Sequence, residues 1–225
     1  MLESRPSLSR RWLATVGAGF VLLAAAAWWL SPALHTLLAS PSVHRLDGAA
    51  WQAAHALAAP GVLLAALWSN DLHGTVGILV LTGLAAWAWR RDGRTEACAR
   101  LLVTVPAGML LNMLVKALVD RARPGWAIGD VPLSASFPSG HVAEATVFYG
   151  SLAVESARRQ ASLLRRALCV AGAAGMIAIV ALGRVIVGAH FLSDCLGAVV
   201  ESALWLAVCF SMPALARRAT AAGAR

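Results

Sequence analysis

Apolar positions along the chain gather into long runs separated by short polar breaks. Six runs approach or reach the length of a membrane crossing: residues 12–30, 72–89, 101–119, 140–157, 167–187 and 191–213. An α-helix rises about 1.5 Å per residue, so about 20 apolar residues cover the hydrocarbon of a bilayer. The pattern predicts an all-α polytopic membrane protein with six transmembrane helices. A further run, residues 49–68, is of another kind. It carries Gln52 and His55, is interrupted by Pro60 and Gly61, and is flanked by Asp47, Asn70 and Asp71. It predicts an amphipathic helix lying at the outer interface, with Trp51 and Trp68 suited to the headgroup level.

The bulk composition agrees with a chain made for lipid. Apolar residues are 59% of the sequence and charged residues 13%, at a net charge of +8; the mean hydropathy is +0.70. An ordinary soluble domain is excluded by these values. The positive charge points to membrane topology and not to nucleic acid, because most of the arginines fall into four groups beside the apolar runs. These are Arg5, Arg10 and Arg11; Arg90, Arg91, Arg94 and Arg100; Arg158, Arg159, Arg165 and Arg166; and Arg217, Arg218 and Arg225. Six crossings put all four groups on one side, which is then the cytoplasm. A seventh crossing at residues 49–68 would strand the first group outside. The expected organisation is a cytoplasmic tail at 1–11, one six-span domain at 12–213 and a cytoplasmic tail at 214–225. The first apolar run exceeds the roughly 7 to 15 residues of a cleavable signal core and has no A-x-A site after it, which predicts a retained signal anchor. The four cysteines, Cys98, Cys169, Cys195 and Cys209, show no metal-ligand spacing and read as packing residues.

On the outer side of this topology lie the polar residues that carry candidate chemistry. The chain has a single lysine, Lys116, set in the apolar pattern near the end of the third run. An ionisable group there is costly unless it snorkels or serves a site. It opens the pattern Lys116-x6-Arg123-Pro124. Pro138-Ser139-Gly140-His141 follows, and then Arg184-x5-His190-x3-Asp194. In this order the three motifs resemble the signatures of the type 2 phosphatidic acid phosphatase family, whose members share a core with bacterial acid phosphatases and vanadium haloperoxidases.

The residue types suit phosphoryl transfer on physical grounds as well. Charge spreads over three equatorial oxygens in the transition state, so catalysis is largely positioning and charge stabilisation. Lys116, Arg123 and Arg184 supply cations, Ser139 and Gly140 a helix N-terminus, and together these are the expected phosphate-binding set. His190 and Asp194 lie four apart, where a carboxylate can fix the imidazole tautomer. The resemblance implies that His190 is the nucleophile and forms a phosphohistidine, and that His141 works as general acid and then general base. His141, His190 and Asp194 are the expected catalytic residues. Where the third motif usually begins Ser-Arg, this chain has Gly183-Arg184. A hydroxyl is missing there, with rate or substrate preference the expected consequence.

Other polar positions are read more plainly. Glu144, one turn past His141, either orients that imidazole or satisfies a neighbouring helix. Glu201 is expected to be a structural hydrogen-bond partner, and Asp120 and Arg121 a local pair. Trp126 is a lipid or substrate contact, or an aromatic anchor. His35, His44, His55 and His73 show no HExxH or carboxylate grouping, so neither a metal nor another cofactor is expected. The partners implied are the bilayer and a lipid phosphate or diphosphate whose tail stays in it; the motifs fix no oligomeric state. The arginine- and alanine-rich composition looks bacterial, which places the protein in the inner membrane with its site on the periplasmic or extracellular side. Undecaprenyl diphosphate is the first substrate expected, since the family commonly serves envelope lipid recycling. Phosphatidylglycerol phosphate, phosphatidic acid or a lipid A phosphate, transfer of phosphate to a second lipid, and a non-catalytic transporter or scaffold are the alternatives.

Overall fold

In the computed structural model, residues 8–128 and 134–211 are described, and every regular element among them is helical. Most of the N-terminal tail, the C-terminal tail at 214–225 and the end of the sixth run lie outside the described residues. Eight helices follow in order: α1 Arg10–Leu38, α2 Pro41–His55, α3 Pro60–His73, α4 Thr75–Arg91, α5 Thr95–Val119, α6 Gly140–Ala157, α7 Leu163–Ile186 and α8 Leu192–Phe210. Among the described residues, α1, α5, α7 and α8 are long and apolar enough to cross a membrane. The fourth and sixth helices are shorter, at 17 and 18 residues.

Local chemistry explains where helices start and why some run past the apolar pattern. The Ser9 hydroxyl accepts from the Trp12 amide and caps α1; the Ser40 hydroxyl does the same for Val43 in α2, with Pro41 behind it. Ser31-Pro32 would be expected to end the first helix near residue 30, yet α1 continues to Leu38. Proline 32 leaves the Trp28 carbonyl without its usual amide partner. The Ser31 hydroxyl donates to that carbonyl at 2.9 Å, so the break is repaired and the helix goes on.

Residues 49–68 do not form one helix. Pro60 forces the preceding Ala59 into an extended conformation (ψ 153°), and the segment divides into α2 and α3, bent by 118°. The single interfacial helix expected from the pattern is therefore a helical corner. Along its second arm, Leu63 and Ala66 of α3 pack on Val187 and Ala189 at the end of α7.

The bundle is centred on α5, α6 and α8. Gly108 of α5 faces Trp205 of α8 and Val147 of α6 so closely that a Cβ would come within 2.9 Å of both. Small residues let helices approach where lipid supplies no hydrophobic drive between them. The Trp205 indole then donates to the Thr104 carbonyl at 2.9 Å. At one end of the bundle, the Trp12 indole donates to the Cys209 carbonyl and Arg158 to the Phe210 carbonyl, both at 2.8 Å. Arg100 pairs there with Glu96 and Glu155, and the Arg94 guanidinium lies over Trp89. The arginine-rich ends of α1, α4, α5 and α6 thus share one pole. Lys116, His141, Arg184 and His190 occupy the other.

Candidate active site

At that second pole a cavity of about 480 Å³ is lined by Lys116, Arg123, Gly140, His141, Arg184 and His190, with Thr75, Asn112 and Glu144 on its other wall. Six of the eight residues expected at the site therefore reach one space. Asp194 is fully buried behind it, and Ser139 is fully buried against the Cys195 thiol. Gly140 is the first residue of α6, so this helix presents its N-terminus to the cavity.

Two of the cations, Lys116 and Arg123, are held by backbone oxygens. The Lys116 ammonium, one turn before the end of α5, donates to the carbonyls of Ala135 and Pro138 at 2.7 and 2.9 Å. Those two bonds use two of its three protons and fasten the loop that leads into α6. Arg123 donates to the Ser134 and Ala189 carbonyls at 2.8 and 2.9 Å. Burial lowers its pKa below the ordinary arginine value, with Asp194 opposing. Arg184, in the last turn of α7, has a carbonyl that accepts from the amides of Ala189 and His190, so one residue ties the cavity wall to the following turn. That turn depends on Gly188, at φ +69°, where a Cβ would sit 2.8 Å from the Trp126 carbonyl.

His190 has two different neighbours. An Arg123 Nη lies 3.2 Å from its Nε2. Because a guanidinium only donates, Nε2 is the acceptor nitrogen, and the proton resides on Nδ1. Nδ1 lies 3.5 Å from Asp194 Oδ2. Nε2 is therefore unprotonated and meets Arg123 in the cavity lining, and burial drives the His190 pKa down to about 4 although the Asp194 carboxylate beside Nδ1 raises it. His141 is held from another direction, its ring hydrogen-bonded to the Asn70 carbonyl at the end of α3. The arrangement can grip an anion with three cations and a helix N-terminus, and it offers one unprotonated imidazole beside a second.

Of the other polar residues, Arg121 stands differently from its sequence reading, while Glu144 and Glu201 fall within theirs. Arg121 does not pair with Asp120. It donates to Asp194 at 2.6 Å and to Asp47 at 3.0 Å, while Asp120 terminates α5 in the left-handed conformation. The physical reason is geometric: with Asp120 turning the chain at φ 43°, the Arg121 side chain enters the bundle and meets carboxylates from α2 and α8. No spacing in the sequence marks Asp47 as its partner. Glu144 satisfies a neighbouring helix, accepting from the Thr75 hydroxyl at 3.0 Å, and Glu201 accepts from Asn112 at 3.0 Å as a structural partner. Trp126 remains exposed while its ring contacts Trp51 and Phe191. His73 bonds Tyr149 and His55 stacks on Trp51. His35 and His44 line a second space of about 370 Å³ on the far side of Arg123.

Residues 97–218, more than half of the chain, match the PAP2 superfamily, and the protein belongs to it. Phosphatidylglycerophosphatase B of Bacillus subtilis (strain 168) is 28% identical over 177 residues, which span 73% of this chain and 84% of that protein. The fold is also that of a crystal structure described as the first transmembrane PAP2 type phosphatidylglycerolphosphate phosphatase from Bacillus subtilis. The two share a TM-score of 0.70 at 23% identity, over 82% of this chain and 93% of that one. With this shared fold and its long apolar helices, the chain is a multi-pass membrane protein.

Proposed function

We propose that the protein is a lipid phosphatase that works through a phosphohistidine, with phosphatidylglycerol phosphate as its substrate. The observation that carries this reading is the convergence of Lys116, Arg123, Arg184, His141 and His190 on one cavity with Asp194 behind His190. In the first step the Nε2 lone pair of His190 attacks phosphorus as the bond to the lipid oxygen breaks. Protonated His141 gives its proton to that oxygen, and the lipid alcohol leaves. In the second step water attacks the phosphohistidine, His141 takes the water proton, and inorganic phosphate departs from a regenerated imidazole. Lys116, Arg123 and Arg184 stabilise the equatorial oxygens in both steps, aided by the N-terminus of α6 at Ser139 and Gly140. No step calls for a metal, because the positive charge comes from side chains.

The names of the relatives favour phosphatidylglycerol phosphate over the undecaprenyl diphosphate expected from the family resemblance and the bacterial-looking composition. Placement follows from the charge pattern. Six crossings, by α1, α4, α5, α6, α7 and α8, put the arginine pole in the cytoplasm and the cavity at the outer face, with the α2–α3 corner over it. The short α4 and α6 still span about 26 Å each at 1.5 Å per residue, near the hydrocarbon thickness.

The deciding experiment measures phosphate release by purified protein from phosphatidylglycerol phosphate, phosphatidic acid, a lipid A phosphate and undecaprenyl diphosphate. Release from the first, retained in EDTA, is the expected result. Faster release from the diphosphate would restore the earlier substrate, phosphate appearing on a second lipid would make the protein a transferase, and no release from any lipid would leave a transporter or scaffold.

A further inference from the structure

We propose that Asp47 and Arg121 are positioning residues for phosphoryl transfer: an Asp47–Arg121–Asp194 chain, reaching in from the α2 corner, sets the charge and orientation of His190. This inference rests on the lipid phosphatase reading. All three side chains are buried, Arg121 at 9% exposure and Asp47 and Asp194 at about 1% or less. Arg121 lies between the carboxylates, 2.6 Å from Asp194 Oδ1 and 3.0 Å from Asp47 Oδ2, with its guanidinium 4.1 Å over the Phe191 ring. It also donates to the Ser193 hydroxyl and the Leu38 carbonyl.

Asp47 does a second job. Its Oδ1 accepts from the Ser193 amide at 2.9 Å and its Oδ2 from the Ser193 hydroxyl at 2.7 Å. The Ser193 amide is one of the unpaired donors in the first turn of α8, so a carboxylate from α2 satisfies it from outside the helix. Asp194 Oδ2 accepts from the Phe191 amide at 2.9 Å and faces His190 Nδ1. The start of α8, which carries Asp194 and follows His190 directly, is thereby docked on α2.

Charge gives this chain a role beyond docking. Asp47, Arg121 and Asp194 together carry one net negative charge, and His190 is neutral before attack. When Nε2 bonds to phosphorus, Nδ1 keeps its proton and the ring becomes a cation. The group of four then sums to zero. A cation forming in a buried site needs that compensation. Without Asp47, Arg121 would cancel Asp194 alone and leave the phosphoimidazolium unbalanced. Asp47 lies outside the cavity lining, so the phosphate grip does not involve it.

The test compares wild type, Asp47→Asn, Asp47→Glu and Arg121→Lys as full-length protein in detergent, reading kcat, KM, Tm and the rate at which alkali-stable phosphohistidine forms. Asp47→Asn is expected to lower kcat and intermediate formation by about 10²-fold, the loss typical of a slightly misplaced reacting group, with KM within about threefold. Asp47→Glu should recover part of that loss. A role in stability alone would lower Tm and leave kcat per folded molecule intact, and that result overturns the proposal. If Asp47→Asn does not accumulate as folded protein, Arg121→Lys carries the test, because it keeps the charge and loses the two-handed grip; an unchanged kcat there is equally fatal. Wild type that releases no phosphate overturns the lipid phosphatase reading and this one with it, whereas active wild type with fully active Asp47→Asn overturns only this one.

Discussion

A neutral imidazole at position 190 is the chemical condition on which the mechanism turns. Desolvation, reinforced by Arg184 and Arg123, lowers its pKa from the ordinary 6.5 to about 4, against the opposing pull of Asp194. Above about pH 4 Nε2 is unprotonated and can attack, and protonation below that value removes its lone pair. The acid limb of kcat/KM that belongs to the nucleophile is therefore expected near pH 4, and a limb near 6.5 from this group would contradict its buried setting. At the same scale, His190→Ala and His141→Ala should each cost several orders of magnitude in phosphate release while the protein stays folded, since the two act as a unit. Near-normal turnover in either would reject the roles given to them. Arg123 is not interchangeable with lysine, because its planar fork donates at once to the Ser134 and Ala189 carbonyls and to the Ser134 hydroxyl.

Between residues and the whole chain, the elements that matter most are the turns at the pole that holds the cavity. The α7–α8 turn brings Arg184, His190 and Asp194 together, and it closes only because Gly188 takes a left-handed φ with Trp126 packed against it. Gly188→Ala is expected to cost about 1–2 kcal/mol for the backbone conformation alone. The clash with the Trp126 carbonyl adds to this, and both a lower Tm and a lower kcat should be read out. Gly183 presents the opposite case. A Cβ there would meet Ala66 at 3.6 Å, an ordinary contact, so the space for the family's usual serine exists. Gly183→Ser should fold with unchanged or raised Tm, and assay across the lipid panel then isolates what the absent hydroxyl does to rate or preference. The α2–α3 corner is the third such element. Pro60 makes the bend, and the bend lets α2 deliver Asp47 while α3 delivers the Asn70 carbonyl to His141.

Seen whole, the molecule is polarised. Arginines gather at one end of the bundle and the cavity-lining cations Lys116, Arg123 and Arg184 at the other, with apolar helix faces between. If the arginine pole is cytoplasmic, a membrane-impermeant maleimide added to intact cells should label a His35→Cys protein and spare an Arg165→Cys protein, both built on Cys169→Ser. Labelling of both, or the reverse pattern, would overturn the orientation. The distribution also explains how charged groups persist in so apolar a chain. Arg100 is matched by Glu96 and Glu155 at one pole, and Arg121 by Asp47 and Asp194 at the other, so these two buried cations are paired.

Much of this was legible along the chain, because some information is local or periodic. Apolar runs predict helices wherever they occur, and the Lys-x6-Arg-Pro, Pro-Ser-Gly-His and Arg-x5-His-x3-Asp spacings carry the cavity's cations and imidazoles, since each motif lies within a turn or two of a helix end. Even the break at residues 49–68 was written in Pro60, although its angle was not. What tertiary structure alone decided were contacts between residues remote in the chain and chemically ordinary in isolation. Nothing in the sequence around Asp47 or Arg121 distinguishes a buried ion pair from two interfacial charges. The sequence reading had Arg121 turning to the adjacent Asp120, the partner nearest along the chain. A left-handed residue at 120 and the packing of α2 on α8 redirected it, because burial leaves a guanidinium only the partners that folding brings to it.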